Sequence, residues 1–496
     1  VFGTRGAAGP VHKGSVAVPF GTGVVAVHAA LLRTGEVLAW SFSDSNDAQG
    51  DSRVVNPASG ALTTQPDAHH IFCSGHAFLP DGRLVVAGGH HHDVKAIHTF
   101  DPATNDFEHV ADMAAGRWYP TCATLADGRV LIVSGTVHGG PVAPGNPVNN
   151  TLQHYDGAAL SPAVALPTPF SPTFPPSLGG TIDLYPFVFQ LPSGKVAVHS
   201  RTVTRFYDPS SGGWGPGEVV ANHPFSRTYP GEGGCALLGL MPATTPPYRA
   251  RMLITGGGGA APEELQQSTP ATGSTEVLDL GEPGPAWRVV GSLKFPRIMP
   301  DAVLLPDGKV AVVGGSSAGR ADTGIDPVFP IEIFDPVAET WSTAASTRVP
   351  RLYHSTALLL PDARVMIMGK DGLFNADPYK YPEHRAEVFS PPYLFAGPRP
   401  EIAGAPEQVA YATEVEVASP AAAGVASAVL VRAGSVTHSF NMDQRLVGLV
   451  IAARSSGSLV LEMPPGGNVA PPGWYLLFLL TPSGVPSVGR FVRLGP

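Results

Sequence analysis

Three stretches decide the fold: GHAFLPDGRLVVAGG (75–89), TCATLADGRVLIVSG (121–135) and PDAVLLPDGKVAVVGG (300–315). Each is an apolar run, a turn centred on Asp-Gly, and a second apolar run ending in a glycine. Asp-Gly favours a tight hairpin because the turn needs positive φ. Related segments lie at 28–40, 186–200, 234–258 and 354–369, which makes seven copies along the chain. A further strand often follows and ends in an Asp-Pro turn, as in HTFDPATND (98–106), RFYDPSSGG (205–213) and EIFDPVAET (332–340). Trp214 and Trp341 come next in two of these copies. A repeat of this kind cannot bury both faces of its sheet alone, so its neighbours must supply the core. The pattern predicts an all-β chain, built first as a seven-bladed kelch-type β-propeller.

After SPPYLFAGPRP (390–400) the Asp-Gly hairpins stop. Strand-like runs at 427–434, 448–454, 458–464 and 474–482 instead suggest an immunoglobulin-like β-sandwich. The expected division is a propeller over 1–397 and a sandwich over 398–496. The segments 138–180 and 259–275 read as irregular insertions on one face of the ring.

Composition agrees with many short strands. The 496 residues include 58 Gly and 52 Pro, and only 14% are charged, against about 25% in a typical globular domain. The net charge is −9 with no basic stripe, which argues against nucleic acid as a partner. No apolar run has the length of a membrane-spanning helix. Three cysteines allow at most one disulfide. The chain begins at Val1 rather than Met, as it would after removal of a leader. Asn149-Asn150-Thr151 matches a glycosylation sequon, a triplet that often arises by chance.

The repeat supplies a register. Nine residues before the turn glycine lies Cys73 in the second copy and Tyr119 in the third. In the seventh copy, where Ala363 replaces the glycine, the same count reaches His354, with Tyr353 beside it. Equivalent register in a radial repeat means equivalent depth on one face, so these residues should gather around one axis. A thiol, a phenol and a phenol–imidazole pair point to a redox metal site. Register does not choose among the tyrosines. Tyr185 also lies nine residues before a glycine, and both Tyr185 and Tyr229 precede blades. Any one of them would serve equally as an aromatic lining the mouth of the ring. Cys122 and Cys235 fall inside inner strands and read as core, and His90, His91 and His92 read as a solvent loop. His438, in GSVTHSFNMDQRLVGL (434–449), sits in a polar hairpin between apolar strands.

Together FCSG (72–75), RWYPT (117–121), RLYHSTALLLPD (351–362), VTHSFNMDQR (436–445) and APPGWYLLFLL (470–480) resemble the copper radical oxidases, the family of galactose oxidase and glyoxal oxidase. The resemblance spans nearly the whole chain. It implies one copper ion, held by Tyr119, Tyr353, His354 and His438, with His438 carried by a hairpin that threads the propeller. It implies a Cys73–Tyr119 thioether whose tyrosyl radical supplies the second oxidising equivalent, and Tyr353 as an axial base. It also implies a secreted or extracytoplasmic monomer that takes a small-molecule substrate and O2 and releases hydrogen peroxide. The tryptophan that galactose oxidase stacks on its cross-linked tyrosine has no counterpart in SGTVHGG (134–140), which offers Val137 or His138. Trp118 precedes Tyr119 instead, as in the glyoxal oxidase branch, which favours small aldehydes or α-hydroxycarbonyls over galactose. Trp118, Tyr185, Tyr229 and His138 are the further candidates for contact with the radical or the substrate. Two other readings stand beside this one: a carbohydrate primary-alcohol oxidase, and a propeller that binds glycans or proteins without catalysis.

Overall fold

The computed structural model describes residues 9–42, 51–65, 69–143, 145–171, 182–371 and 380–496. Seven four- or five-stranded antiparallel sheets follow one another along the chain, and a seven-stranded sheet system follows them. The second blade is typical. Gly75–Phe78 and Leu84–Ala87 form the inner hairpin, and Ala96–Asp101 and Asp106–Asp112 lie outside it. Gly82 closes the hairpin at φ 94°, and the Asp81 carboxylate accepts the Arg83 amide at 2.9 Å. The inner strands are buried along their whole length because each blade packs against two neighbours.

The ring is closed by strands from opposite ends of the propeller sequence. Ser15–Val16 and Phe20–Gly21 both pair with Arg385–Ser390 of the seventh blade. A second closure repeats from blade to blade. The guanidinium groups of Arg117, Arg227, Arg297 and Arg351 are buried just ahead of blades three, five, six and seven. Each binds a backbone carbonyl at the end of an inner strand: Ser134, Ile254, Gly314 and Gly369, at 2.8–3.0 Å. Glu276, Glu332 and Glu387 neutralise three of them, at 3.1, 2.7 and 3.1 Å. Removing one partner of such a buried pair costs about 3–5 kcal/mol.

One sequence expectation needs correction. The stretch 138–180 is not wholly an insertion, because Thr151–Tyr155 and Val164–Ala165 are the outer strands of the third blade. Flanking proline and glycine masked a short strand. Residues 144 and 172–180 of the stretch lie outside the described residues. In 259–275 the structure has one short 3-10 turn, Pro262–Glu264. The sequon asparagine, Asn149, is buried and donates its amide to the Gly116 carbonyl at 3.2 Å. Cys122 and Cys235 are buried in inner strands, as read from the sequence, and no disulfide joins the three cysteines.

The sandwich strands run in the order 408–410, 490–495, 473–480, 427–432, 445–454, 458–462, 414–418. Between its third and fourth strands in chain order, 427–432 and 445–454, a hairpin leaves the sandwich and enters the ring. There Ser435–Thr437 pairs with His28–Ala30, at the inner edge of the first blade. Polar side chains beyond it hold the inner strands of other blades. Asp443 accepts the Phe78 amide at 2.6 Å and the Thr124 hydroxyl at 2.9 Å. Gln444 bridges the Leu304 amide and the Ala302 carbonyl at 2.9 and 2.8 Å, and Arg445 reaches the Gln190 carbonyl at 2.8 Å. Inner strands expose backbone groups toward the axis, and burial without partners would be costly. The polar hairpin satisfies them, which explains why a segment between two apolar strands has no apolar pattern.

Candidate metal centre

Five lead-in residues share one unusual backbone state. Cys73, Tyr119, Tyr185, Met299 and His354 have φ of 65°, 63°, 47°, 58° and 66°. All occupy the position nine residues before the hairpin turn. Left-handed φ is uncommon for residues with a side chain, and here it turns each lead-in loop into its inner strand. Side chains from successive blades therefore converge on the axis.

Four donor atoms meet there. The Tyr119 hydroxyl lies 2.5 Å from the Tyr353 hydroxyl, 2.9 Å from His438 Nε2 and 3.5 Å from His354 Nε2. All four side chains are almost fully buried. Neighbouring side chains set both imidazole tautomers. His354 Nδ1 lies 3.0 Å from the Asp371 carboxylate and donates to it. His438 Nδ1 donates to the Thr437 hydroxyl at 2.6 Å, since that hydroxyl itself donates to the Val27 carbonyl at 3.0 Å. Both Nε2 lone pairs thus face the phenols, the state a metal ligand requires. Burial raises the Tyr119 and Tyr353 phenols well above their ordinary range, so neither ionises without a cation beside it. Two imidazoles and two phenols about 3 Å apart fit a first-row cation whose ligands lie about 2 Å away. The donor set suits Cu(II).

Cys73 belongs to the same cluster. Its thiol is buried among the Tyr119 and Trp118 side chains, and burial keeps it protonated. Its backbone amide donates to His28 Nε2 at 3.0 Å. His28 Nδ1 then faces His76 Nε2 at 3.2 Å, and His76 Nδ1 meets the Ser435 hydroxyl. This buried relay fastens the Cys73 loop to the first blade and to the threading hairpin.

The remaining candidates separate by position. The Trp118 indole covers one face of Tyr119, with ring centroids 3.6 Å apart and planes 7° from parallel. Tyr185 lies over the other face at 4.6 Å and anchors its hydroxyl on the Ser74 carbonyl at 2.9 Å. Tyr229 meets the edge of Tyr119 at 5.0 Å and is only half buried. It also lines a cavity of about 270 Å³ with Val142, Leu184, Arg201 and Arg320. So Tyr185 backs the site and Tyr229 stands at its mouth. His138 does not join: its backbone amide binds Asn146 Oδ1 at 2.9 Å, and among the described residues no ring contact links it to the cluster. The indole supplied from position 118 makes a stacking residue from 134–140 unnecessary.

Sequence reasoning missed four residues here. Met299 sits in the register of Cys73 and Tyr119, and the same count of nine would have found it. Nothing in the local sequence marks Asp371 or His28. Glu232 is buried with neither carboxylate oxygen hydrogen-bonded, and burial raises its pKa well above the ordinary range. Its charge bears on Tyr229 and Tyr353.

Comparison with known proteins follows the same lines. The family described as glyoxal oxidase N-terminus matches residues 43–144 and 175–393. The galactose oxidase-like Early set domain matches residues 399–494. The chain is 33% identical over 469 residues to the aldehyde oxidase GLOX of Vitis pseudoreticulata, covering 86% of this chain and 82% of that one. It is 28% identical to a galactose oxidase of Gibberella zeae, over 95% of this chain and 69% of that one. Among solved structures, a fungal alcohol oxidase of the AA5 family, in complex with copper, superposes with a TM-score of 0.79 at 23% identity. That superposition covers 98% of this chain and all of the other. Among the described residues no helix is long and apolar enough to cross a membrane.

Proposed function

This chain belongs to the copper radical oxidase family, and from that premise we propose that it oxidises a small aldehyde, as its hydrate, or an α-hydroxycarbonyl, reducing O2 to hydrogen peroxide. For an aldehyde the balance is RCH(OH)2 + O2 → RCO2H + H2O2. Two electrons and two protons pass from substrate to oxygen. The observation that carries the reading is the convergence of Tyr119, Tyr353, His354 and His438 within 3.5 Å of the Tyr119 hydroxyl, with both imidazole tautomers fixed.

Tyr119, Tyr353, His354 and His438 would hold the copper, His438 being given by the sandwich hairpin. A bound copper would supply one oxidising equivalent and hold the phenols ionised in a buried site. The chain's residues account for the rest. Cys73 and Tyr119 would join by a C–S bond, with loss of the thiol hydrogen and one ring hydrogen to dioxygen. An ortho sulfur delocalises the unpaired electron of the oxidised phenol, and Trp118 and Tyr185 shield both faces of the ring. The Tyr353 oxygen, beside that of Tyr119, is placed to accept the substrate's hydroxyl proton. Tyr119 then takes the hydrogen from the carbinol carbon. The cavity at Tyr229 is the route of approach, and its size suits a small substrate.

The preference for aldehydes rests on Trp118 beside the ligand tyrosine and on the higher identity to an aldehyde oxidase than to a galactose oxidase. The galactose oxidase likeness over 95% of the chain supports a primary-alcohol oxidase as the second reading. Secretion as a monomer belongs to the same proposal. Anaerobic copper loading, followed by oxygen and intact mass, tests the centre. The expected result is loss of two hydrogens, mapping to a Cys73–Tyr119 peptide and absent in Cys73→Ser. Tyr119→Phe should abolish copper-dependent oxygen uptake with the fold intact, and unchanged uptake would overturn the assignment. Glyoxal and methylglyoxal should outpace galactose in a substrate panel; the reverse order would select the second reading.

A further inference from the structure

The second blade carries a cluster that the oxidase chemistry does not use. His69 lies in the loop leading into the blade, Asp93 on the 3-10 turn His91–Lys95, and His98 on the strand Ala96–Asp101. One ligand atom from each lies within 4.8 Å of the other two. The His69 and His98 rings are 4.1 Å apart. His98 is fully buried, yet neither Nδ1 nor Nε2 has a hydrogen-bond partner. Buried polar atoms are nearly always bonded, so an imidazole orphaned at both nitrogens calls for an explanation. The backbone holds it in place, since His98 is paired to Val86 on one side and His109 on the other. Asp93 is fixed as well: its Oδ2 accepts the His70 amide at 2.5 Å.

We propose that His69, Asp93 and His98 form a second metal site, separate from the radical centre, for a divalent cation of the zinc type. Two imidazoles and one carboxylate are a usual donor set for such an ion, with water completing a tetrahedron. The cation would take up a lone pair that has no other partner on His98. It would also tie the loop that starts at His69 and leads to Cys73 against the outer part of its own blade. The exposed His91 and His92 rings stand beside His70, at 5.4 and 6.1 Å. They lie outside the three-residue cluster and are not needed as ligands.

The test uses the full, copper-loaded chain, titrated with Zn2+ by calorimetry and with Co2+ by visible absorption. The expected result is one further equivalent of zinc per chain, and cobalt bands of tetrahedral intensity that zinc displaces. Asp93→Asn keeps the half-buried position and its hydrogen bond, and should weaken zinc binding about tenfold or more. His98→Gln should do the same, and circular dichroism would verify its fold. The double variant His91→Ala/His92→Ala should bind as the parent does. Zinc binding weaker than about 1 mM in the parent would overturn the proposal. So would binding that survives Asp93→Asn but is lost in the His91/His92 variant, which would assign the ion to the surface tract.

Discussion

The Trp118 indole lies flat on the Tyr119 phenol, 3.6 Å between centroids, although the two residues are adjacent in the chain. Neighbours on a strand point to opposite faces. The left-handed turn at Tyr119, φ 63°, brings them onto one face. The same device stacks Tyr353 on His354 at 3.7 Å, with His354 at φ 66°. Two of the site's aromatic pairs are therefore products of backbone state.

Trp118→Leu keeps an apolar cover and removes the extended π-face. A stacked aromatic pair is worth about 0.5–1.5 kcal/mol, which corresponds to about 2- to 10-fold in rate or lifetime. The lifetime of the oxidised tyrosyl absorption should shorten by that factor, with copper content unchanged. An unaltered lifetime would show that the indole only fills space.

Asp371→Asn leaves the shape of the His354 contact and removes its charge. Groups that orient a metal-bound histidine typically contribute about 10- to 100-fold in metal affinity. Competition with a copper chelator should show a loss in that range, and Asp371→Ala should show a larger one. Equal retention of copper by all three proteins would mean that Asp371 is merely structural.

His199, on the strand Val196–Ser200, gives the chain a sensitivity to acid. Burial, with the nearby Arg227 charge, lowers its pKa to about 3, and it is fully buried against Phe187 and Trp287. Above about pH 6.5 neither the folded nor the unfolded state protonates it. Below that the unfolded chain binds a proton that the folded chain refuses, so stability falls as pH falls toward 3. The slope is about 1.4 kcal/mol per pH unit for this residue. Urea unfolding between pH 6.5 and 4 should therefore show a shallower pH slope in His199→Gln, by about one proton. Parallel slopes would refute the assignment.

Ala363 occupies the hairpin position that glycine holds in blades two, three and six, at φ 67°. Left-handed backbone costs a residue with a Cβ about 1–2 kcal/mol, while glycine loses about 0.5–1 kcal/mol more entropy on folding. Ala363→Gly should raise stability by about 0.5–1 kcal/mol, read as a higher urea midpoint at constant slope. A fall would mean that the methyl's packing outweighs the backbone strain.

The sequence by itself determined the blades. Asp-Gly turns and apolar alternation are local signals, and repetition made them legible seven times. The register count of nine even selected the backbone positions that share a left-handed turn, because five of the seven blades bend their lead-in loops the same way. The same count did not separate Tyr119 from Tyr185, since both have that turn and both are buried. Only the tertiary structure decided that Tyr119 meets Tyr353, His354 and His438, while Tyr185 packs behind it and Tyr229 opens to a cavity. Asp371, His28 and the His69–Asp93–His98 cluster were out of reach for the same reason. Their partners lie on other loops, strands or blades, and a contact made by ring closure leaves no periodic trace in the chain. The polar hairpin at 434–445 is the clearest case. Its composition reads as a polar hairpin between apolar strands, yet its side chains are largely buried because the inner strands of the propeller need their hydrogen bonds.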